Sequence, residues 1–520
     1  MSTIDPISRS ASATEMLDSR RDADDLAHFG YRQQLSRRLH FFSSFAAAFS
    51  YISPATGIFT LFALGIGTLG GAFVWTWPAV FLGQLTVALI FAEVSTHFPL
   101  AGSVFQWTKY LSRSKSYSWF AGWIYLWAGA LTVTAVVATL PLTLIPLLDR
   151  LGVGIHLNPA SLSTQQAIAF VTLAVITLLN IFGVRVVALI NNTGVMFELL
   201  GLFVFAVLLA LFHHHHGLGV LVHTGGAKFT AGNFLVAAFM GLFVIYGFDT
   251  ASTLAEETHD PRKHAPRAVI ASIVAAFVIG GIFIVSMVIA TPGPISKVLG
   301  AGIVPSSIID SNLPNALSVG YLFVVSVAIF VCCLTIQAST IRLAFGMARD
   351  QQLPGSALLN GVNERTHTPV GSCLLVAVMA GVFLIQYAGA AFIAIAASGL
   401  IYLAYLMANI AILRARRRGW PEERGAFSLG RWGVLVNLLA IAWGAGMLVN
   451  FSWHRVASNP TPNESPSRAV HFGVSFLDHT PLLWLVFATL MVLGGLYYLA
   501  RNAQIPSMEI AGEAAPEADQ

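Results

Sequence analysis

FVIYGFDTASTLAEET, residues Phe243–Thr258, is the stretch around which the chain is organised. An apolar run reaches Tyr246–Phe248, meets a carboxylate at Asp249 and ends with two more acids, Glu256 and Glu257. An acid inside a segment of hydrocarbon length is costly and is tolerated mainly where it faces water, a partner or a ligand. The stretch therefore predicts a functional site inside a membrane helix.

The composition agrees with that interpretation. The 520 residues are 56% hydrophobic and 10% charged, with a mean hydropathy of +0.73. Soluble globular proteins of this size are much less apolar. The apolar residues form blocks of roughly 20, the length that a helix needs to cross a bilayer, rather than the short alternating runs of a barrel. We expect an all-α integral membrane protein surrounded by lipid bilayer.

Twelve transmembrane spans are predicted between a polar N-terminal tail, residues 1–40, and a polar C-terminal tail, residues 502–520. The spans cover residues 41–67, 72–96, 118–146, 165–184, 187–212, 233–257, 267–290, 317–345, 369–388, 390–413, 431–451 and 481–501, and we number them one to twelve. An even number of spans places both tails on the same side of the membrane.

The basic residues predict which side that is. If the N-terminus is inside, 23 of the 28 Lys and Arg residues fall on inner segments, which is the bias that orients membrane proteins. We therefore expect a multi-pass protein of the plasma (inner) membrane with both tails cytoplasmic. Because these residues flank the spans, they indicate orientation and not a nucleic-acid partner. The sequence leaves the oligomeric state open.

Cofactor and metal sites are not indicated. Cys332, Cys333 and Cys373 lie in apolar runs, so no disulfide framework or zinc-ligand spacing is available. Four consecutive histidines, His213–His216, end span five. Metal binding there is chemically feasible, but a run without acid or thiol partners is more often a polar helix end. We expect no cofactor and no metal.

Two spans contain helix breakers at matching depths. Span one has Ser53-Pro54-Ala55-Thr56-Gly57 near its middle, and Pro54 lies 13 residues in, whereas Gly247 lies 14 residues into span six. Interrupted helices at corresponding positions of two halves indicate an inverted-repeat transporter with its site at the midplane. The spans then divide into a first repeat (41–212), a second repeat (233–413) and two added helices (431–501), which make up a transmembrane bundle of residues 41–501.

Exposed helix ends at such breaks suggest the substrate. Free N–H groups around Thr56–Ile58 have partial positive charge and suit a carboxylate, whereas free carbonyls near Tyr246 and Gly247 suit a cation. An amino acid has both groups. A simple proline kink filled by packing is the alternative for span one.

Four motifs together resemble a known family. They are FSYISPATGIF in span one, AEVSTHFPLAGSVFQWTKYLS after span two, GFDTASTLAEETHDPRKHAPRAV around span six and RLAFGMARDQQLP after span eight. In this order they are similar to the amino acid-polyamine-organocation (APC) superfamily, in its amino acid/choline transporter (GABA permease-like) branch, over about residues 25–501. The resemblance implies a LeuT-like 5+5 fold with broken helices 1 and 6, a small-molecule substrate that is an amino acid or amine, and no dedicated cofactor.

The resemblance also implies which residues bind the substrate, at the unwound parts of spans one and six. They are Ser53, Pro54, Ala55, Thr56, Gly57, Ile58, Tyr246, Gly247, Phe248 and Asp249. Asp249 either contacts the substrate directly or holds the broken helix open while backbone carbonyls bind.

Glu198 is the coupling candidate, in NNTGVMFELLGLF of span five. A membrane carboxylate can load and release a proton and so couple transport to a gradient. The alternative is a carboxyl group that only bonds a neighbouring helix. Asn191 and Asn192 stand one to two turns away and fit either network.

Five charged residues at the inner ends of spans are inner-gate candidates: Glu93, Glu256, Glu257, Arg342 and Arg349. Ion pairs among them either open and close during transport or act as static anchors. Two connecting segments complete the picture. Pro99–Leu111 is predicted as a short interfacial helix, and Thr291–Ala316 as an outer loop that either covers the entrance or is merely solvated.

The favoured function is secondary active transport of an amino acid or related amine by alternating access, with proton coupling or exchange ahead of sodium coupling. Choline, a polyamine, γ-aminobutyrate and urea remain as other substrates. A nutrient sensor that binds without turnover is the alternative from another class. An enzyme is not expected, because the chain has no metal-ligand spacing, nucleophile elbow or phosphate loop.

Overall fold

The computed structural model describes residues 22, 24–152, 158, 161–300, 302–385, 390–453 and 482–501. Most of the predicted N-terminal tail, the whole C-terminal tail and residues 454–481 of the last outer loop lie outside these ranges. Within them the protein is helical, and its extended pairing is one isolated bridge between Leu39 and Thr258. The predicted all-α class is confirmed for the described part of the chain.

Nine helical stretches of the described residues are long and apolar enough to cross a membrane, and one of them, Phe41–His97, contains both span one and span two. Two shorter apolar stretches, Ala231–Val244 and Val370–Ile385, fall in spans six and nine. The chain is therefore a multi-pass membrane protein.

Each predicted span contains helix, although the longer helices of span six end at Val244, well before the predicted end at residue 257. Their bounds, from span one to span twelve, are Phe41–Ile52 with Pro54–Leu69, Thr76–His97, Lys115–Thr139 with Pro141–Arg150, Leu162–Ile181, Val184–Phe212, Ala231–Ala237 with Phe239–Val244, Pro261–Ile289, Asn315–Arg349, Val370–Ile385, Ala390–Arg416, Gly433–Ser452 and Leu482–Arg501. Shorter helices lie at Ser103–Ser112 and Pro305–Asn312.

Helix Ser103–Ser112 differs from its prediction as an interfacial helix. The residues of its first two turns, 103–108, are buried inside the bundle, among them the aromatic rings of Phe105 and Trp107. These two rings and Leu111 supply enough apolar surface for the helix to pack inside the bundle rather than along the membrane surface. The segment therefore belongs to the core at the predicted inner end.

Burial separates the centre of the bundle from its periphery. Of the most apolar 18 residues of Lys115–Arg150, the stretch that contains span three, 78% are buried, whereas the same fraction in Leu483–Arg501 of span twelve is 17%. In a membrane, apolar side chains on the outside face lipid at no cost. In the stretches that contain spans one and two, three, eight and ten, 67–78% of the most apolar 18 residues are buried, and the buried interruption of span six lies among these helices.

Candidate functional site

The helix of span one stops at Ile52 and a new helix begins at Pro54. Ser53 between them has φ 32° and ψ 90°, a left-handed conformation that is strained for a residue with a β-carbon. Proline at the first helical position needs no N–H bond, so the second helix starts there without a lost hydrogen bond. The Ser53 hydroxyl accepts from the N–H of Thr56 at 3.3 Å and so caps the new helix.

The helix of span six stops at Val244, and the chain becomes helical again at Thr250. Gly247 lies in the gap with φ 86°, a region that favours glycine. Its N–H donates to the hydroxyl of Tyr405 in span ten at 2.9 Å. The gap is therefore an ordered, buried piece of non-helical backbone.

The two interruptions contact each other. A β-carbon on Gly247 would lie 1.8 Å from the ring of Tyr51, the residue two positions before Ser53. A β-carbon on Gly57 would lie 2.0 Å from Cγ2 of Val244. Each break thus has a glycine at the point where the other break approaches it.

Asp249 is fully buried and its carboxylate accepts three hydroxyl hydrogen bonds. The donors are Ser103 at 2.7 Å, Tyr125 at 2.5 Å and Tyr405 through a short bond. A carboxylate with three donors is well satisfied without a ligand. Of the two roles left open by the sequence, this geometry favours the one in which Asp249 holds the broken helix.

Sequence reasoning missed Ser103, Tyr125 and Tyr405. Ser103 belongs to the motif after span two but has no sign there of an acidic partner, whereas Tyr125 and Tyr405 stand in apolar helices outside every motif, and Tyr405 is separated from Asp249 by 156 positions. The available signal was a tyrosine inside an apolar membrane helix, because a buried phenol needs a hydrogen-bond partner.

Glu198 reaches the other break. Its Oε1 accepts from the Ser53 hydroxyl at 2.8 Å and from the N–H of Ala55 at 3.1 Å, and the side chain is fully buried. The carboxyl group therefore lies at the N-terminal end of the helix that begins at Pro54, where the helix dipole favours negative charge.

The two neighbouring asparagines make other bonds. Asn191 accepts from the hydroxyl of Thr335 in span eight at 2.9 Å, and Asn192 donates to the hydroxyl of Ser43 in span one at 3.0 Å. Both lie two turns or less from Glu198 on span five, on the side of the predicted inner end.

The remaining substrate-binding candidates are buried beside the breaks. Ile58 is fully covered in the second helix of span one. The Phe248 ring lies 5.7 Å from that of Tyr405, and the Tyr246 hydroxyl lies 3.4 Å from that of Thr132 in span three. The structure brings all ten candidates of spans one and six into one buried region.

Four of the five gate candidates form two ion pairs. Arg349 bonds both carboxylate oxygens of Glu256, at 2.8 and 2.9 Å, and Arg342 lies 2.9 Å from Glu257. Arg342 and Glu257 are both almost completely buried, so this pair depends on its geometry more than a surface pair does.

Glu93 does not join these pairs. Its carboxylate bonds Arg416 at the end of span ten and accepts from the N–H of Leu429 at 2.9 Å. The prediction that grouped Glu93 with Arg342 and Arg349 rested on a shared side of the membrane, which does not decide between several arginines at the same level.

The segment before span one crosses the same end of the bundle. The N–H groups of Arg38 and Leu39 both donate to the carbonyl of Glu257 at 2.9 Å. Tyr31 donates to Asp350 at 2.8 Å, and the guanidinium of Arg349 lies 3.8 Å from the centre of its ring. Burial and the adjacent Asp350 raise the pKa of Tyr31 well above its usual range, so its hydroxyl remains a donor.

No group of three or more acidic, histidine or cysteine side chains suited to a metal occurs in the described ranges. In the run His213–His216, the backbone N–H groups of His215 and His216 donate to the carbonyl of Ile289 at the end of span seven. That arrangement gives the run a structural contact between two helix ends.

Comparison with known proteins gives consistent results. A family model described as amino acid permease matches residues 39–476. The amino-acid permease BAT1 of Arabidopsis thaliana is 28% identical over 466 residues, which covers 82% of this chain and 87% of that protein. The BAT1 homolog of Oryza sativa subsp. japonica is 26% identical, with coverages of 82% and 86%. The branched-chain amino acid permease BcaP of Bacillus subtilis is 27% identical over 325 residues, with coverages of 60% and 67%.

Proposed function

The chain belongs to the amino acid permease family of the APC superfamily, and from that premise we propose that it is a secondary active transporter that moves an amino acid by alternating access. Members of this family are transporters rather than enzymes. The observation that carries the proposal is the contact between two interrupted helices, in which Gly247 packs against the ring of Tyr51 and Gly57 packs against the side chain of Val244. Interrupted membrane helices place backbone polar groups at the midplane, where a zwitterion can use both of their ends.

The substrate carboxylate takes the N–H groups of Thr56 and Gly57. Both now bond Ser53, at 3.3 Å each, and such long bonds are readily exchanged for a charged acceptor. The substrate ammonium takes carbonyl oxygens of the non-helical backbone at Tyr246 and its neighbours. Asp249, through its bonds to Ser103, Tyr125 and Tyr405, holds this backbone in its non-helical conformation and does not contact the substrate.

Glu198 couples transport to a proton. Its carboxylate accepts from Ser53 and Ala55, two residues of the first break. A protonated carboxyl group accepts these bonds less strongly than a carboxylate does. Loading and releasing a proton thus changes how firmly the break of span one is held, which links protonation to the substrate site.

The inner gate consists of the pairs Glu256–Arg349 and Glu257–Arg342, with the segment before span one as its cover. In the proposed cycle these groups hold the inner end closed and separate when the substrate leaves on that side. Glu93 with Arg416 is the static anchor, because it joins spans two and ten at their ends.

The topology proposed with this function has twelve spans in a LeuT-like arrangement. Residues 41–212 and 233–413 form the inverted repeats, residues 431–501 the two added helices, and residues 1–40 and 502–520 cytoplasmic tails. The charge distribution supports an N-terminus inside the plasma (inner) membrane.

Amino acids are the first substrates to test, because the relatives are named for them and one for branched-chain amino acids. The buried apolar residues around the breaks, among them Ile58 and Phe248, also suit an apolar side chain. Choline and polyamines lack the carboxylate, and urea lacks both of the charged groups that the breaks would bind.

The deciding experiment is uptake into proteoliposomes. Purified protein is reconstituted, and each radiolabelled amino acid is supplied with and without an inside-alkaline pH gradient, alongside γ-aminobutyrate, choline, putrescine and urea. We expect accumulation of a subset of amino acids that rises with the gradient and is abolished by a proton ionophore. Specific binding without flux would contradict the proposal and favour a sensor.

A further inference from the structure

Ser50 is a buried hydroxyl without an evident purpose. Its side chain is 1% exposed, and its Oγ has no hydrogen-bond partner among the described residues. Leaving such a group unpaired costs about 1–3 kcal/mol, so an unpaired buried hydroxyl calls for an explanation. It lies in span one, three residues before Ser53, which bonds Glu198.

Helix spacing places Ser50 on the side of span one that faces span five. On a helix, residues 43, 47 and 50 share one face, because they are spaced by four and three positions. Ser43 accepts from Asn192 of span five, and Ser53 beyond the end of this helix donates to Glu198 of span five. Ser50 therefore lies between two contacts that join the same pair of spans.

A small cavity lies on the inner side of Ser50. It has a volume of ≈ 20 Å³, and Ser43 and Ala47 of span one belong to its lining. A space of this size holds one water molecule if polar groups surround it. The polar groups of the lining also include Asn191, Glu257, Thr335 and Arg342.

Spans five and eight contribute the residues opposite this face of span one. On span five, Asn191 at the cavity and Glu198 at the break are seven residues apart on one face, which is roughly 10 Å along the helix. The space between them is filled by Val195 and by Val331 of span eight, which packs against Gly194. Helix spacing on span one places the Ser50 hydroxyl beside this apolar interval.

Few charged or titratable groups lie between Glu198 and the cavity. Beside Glu198, span one presents the neutral groups of Ser53 and Ala55, and span eight presents the thiol of Cys332, which donates to the carbonyl of Tyr51. At the cavity, Glu257 and Arg342 face each other as an ion pair.

We propose that Ser50 is the relay through which Glu198 exchanges its proton with the inner side of the membrane. The carboxylic acid of Glu198 passes its proton to the Ser50 oxygen, directly or through one water, and the hydroxyl proton of Ser50 passes to water in the cavity. Glu198 is left as a carboxylate, and only O–H bonds are broken and formed. The inference rests on the proposed coupling role of Glu198.

The route is closed in the present structure. Val195 and Val331 fill the interval, and the cavity is lined by Leu39 and by the almost completely buried Glu257–Arg342 pair. Opening of the inner gate therefore hydrates the cavity and connects it to Ser50, so the proton leaves in the same state as the substrate.

The test compares Ser50→Ala with Ser44→Ala in proteoliposomes. Ser44 is on the same helix and equally buried, but it bonds Thr258 on a different face. Uptake of a radiolabelled amino acid mixture is measured together with proton movement, which is reported by a pH-sensitive dye inside the vesicles. For Ser50→Ala we expect proton movement and gradient-driven uptake to fall about tenfold or more, with unchanged substrate affinity. Ser44→Ala keeps the proton rate relative to uptake.

Two further measurements keep the outcome unambiguous. Removing an unpaired hydroxyl does not lower stability, so the melting temperature of Ser50→Ala stays at or above that of the unmodified protein, whereas a structural role would lower it. Wild-type proton movement in Ser50→Ala overturns the relay. If Glu198→Gln then still abolishes the gradient effect, the proposed function stands without the relay; if Glu198→Gln is also without effect, the coupling role itself fails.

Discussion

Glu198 and Ser53 are joined by a 2.8 Å hydrogen bond across 145 positions of sequence, and the bond connects a carboxyl group of span five to the strained residue at which span one breaks. The same carboxylate accepts the N–H of Ala55. A charge held at a helix start by both a side chain and the backbone affects the conformation of that start. A change in the protonation of Glu198 therefore alters the hydrogen bonds of Ser53 and Ala55, two of the residues proposed to bind substrate.

Replacing Glu198 by Gln tests this link. The amide keeps one oxygen to accept from Ser53 and Ala55 but cannot lose a proton, so the fold and the site remain while coupling is lost. We expect exchange of labelled for unlabelled substrate to continue within a few-fold, whereas accumulation driven by a pH gradient disappears. Uptake in proteoliposomes measures both.

The matched control is Glu364→Gln, because Glu364 is exposed in a loop. It should leave both activities unchanged. Gradient-driven accumulation that survives in Glu198→Gln would show that another group takes the proton.

Gly247→Ala tests the contact between the breaks. A β-carbon there meets both a φ of 86° and the ring of Tyr51 at 1.8 Å. The backbone conformation alone costs about 1–2 kcal/mol for a residue with a side chain, and overpacking in a filled core adds about 1–3 kcal/mol. We expect lost transport and a clearly lower melting temperature.

Gly226→Ala is the control that isolates the backbone contribution. Gly226 has φ 105°, but no atom lies within 4 Å of the position of a β-carbon. The difference between the two variants in melting temperature and uptake then reports the collision with Tyr51. Equal effects in both would mean that the packing of the two breaks is unimportant.

Tyr405→Phe removes the hydroxyl that accepts from Gly247 and donates to Asp249. Both groups are buried. The Gly247 N–H loses its acceptor, which costs about 1–3 kcal/mol, whereas Asp249 loses one donor and keeps Ser103 and Tyr125. We expect weaker substrate binding together with reduced stability, measured by ligand-induced thermal shift.

Tyr321→Phe is the comparison. Tyr321 is equally buried, and its hydroxyl has no hydrogen-bond partner within the described ranges. Its loss should therefore be neutral or slightly stabilising. If the two variants behave alike, Tyr405 does not position the break.

The parts of the fold that follow from local chemistry could be predicted from sequence. Apolar length gives the spans, and a proline or a glycine within a span marks its interruption, because each acts on its own backbone. The helix of span one is interrupted directly before Pro54, and the non-helical part of span six contains Gly247.

Partner choice could not be predicted, because it depends on packing between distant helices. Asp249 is bonded by Tyr125 and Tyr405, 124 and 156 positions away, and neither tyrosine belongs to a motif. Glu93 pairs with Arg416 because these two helix ends are adjacent, although other arginines occur at the same level. Sequence identifies which charges need partners but does not identify the partners.

The last prediction concerns the inner gate and uses Ser252→Cys as a reporter. Ser252 is buried, lies between Asp249 and Glu256 in the sequence, and its hydroxyl has no partner in the described part of the chain, so a cysteine there loses no hydrogen bond. A membrane-impermeant maleimide reaches it only when the inner end opens. Labelling is read by peptide mass spectrometry, which separates it from the native cysteines.

Adding Arg349→Gln removes both bonds from Arg349 to Glu256 and the contact of its guanidinium with Tyr31, so the closed state loses stabilisation that the open state lacks. A shift of about 1.4 kcal/mol in that balance raises the open population, and with it the labelling rate at Ser252→Cys, about tenfold. Arg365→Gln, at an exposed loop position, should leave the rate unchanged. An unaltered rate in Arg349→Gln would mean that the pair is a static anchor, because an interaction that persists in both states cannot shift their equilibrium.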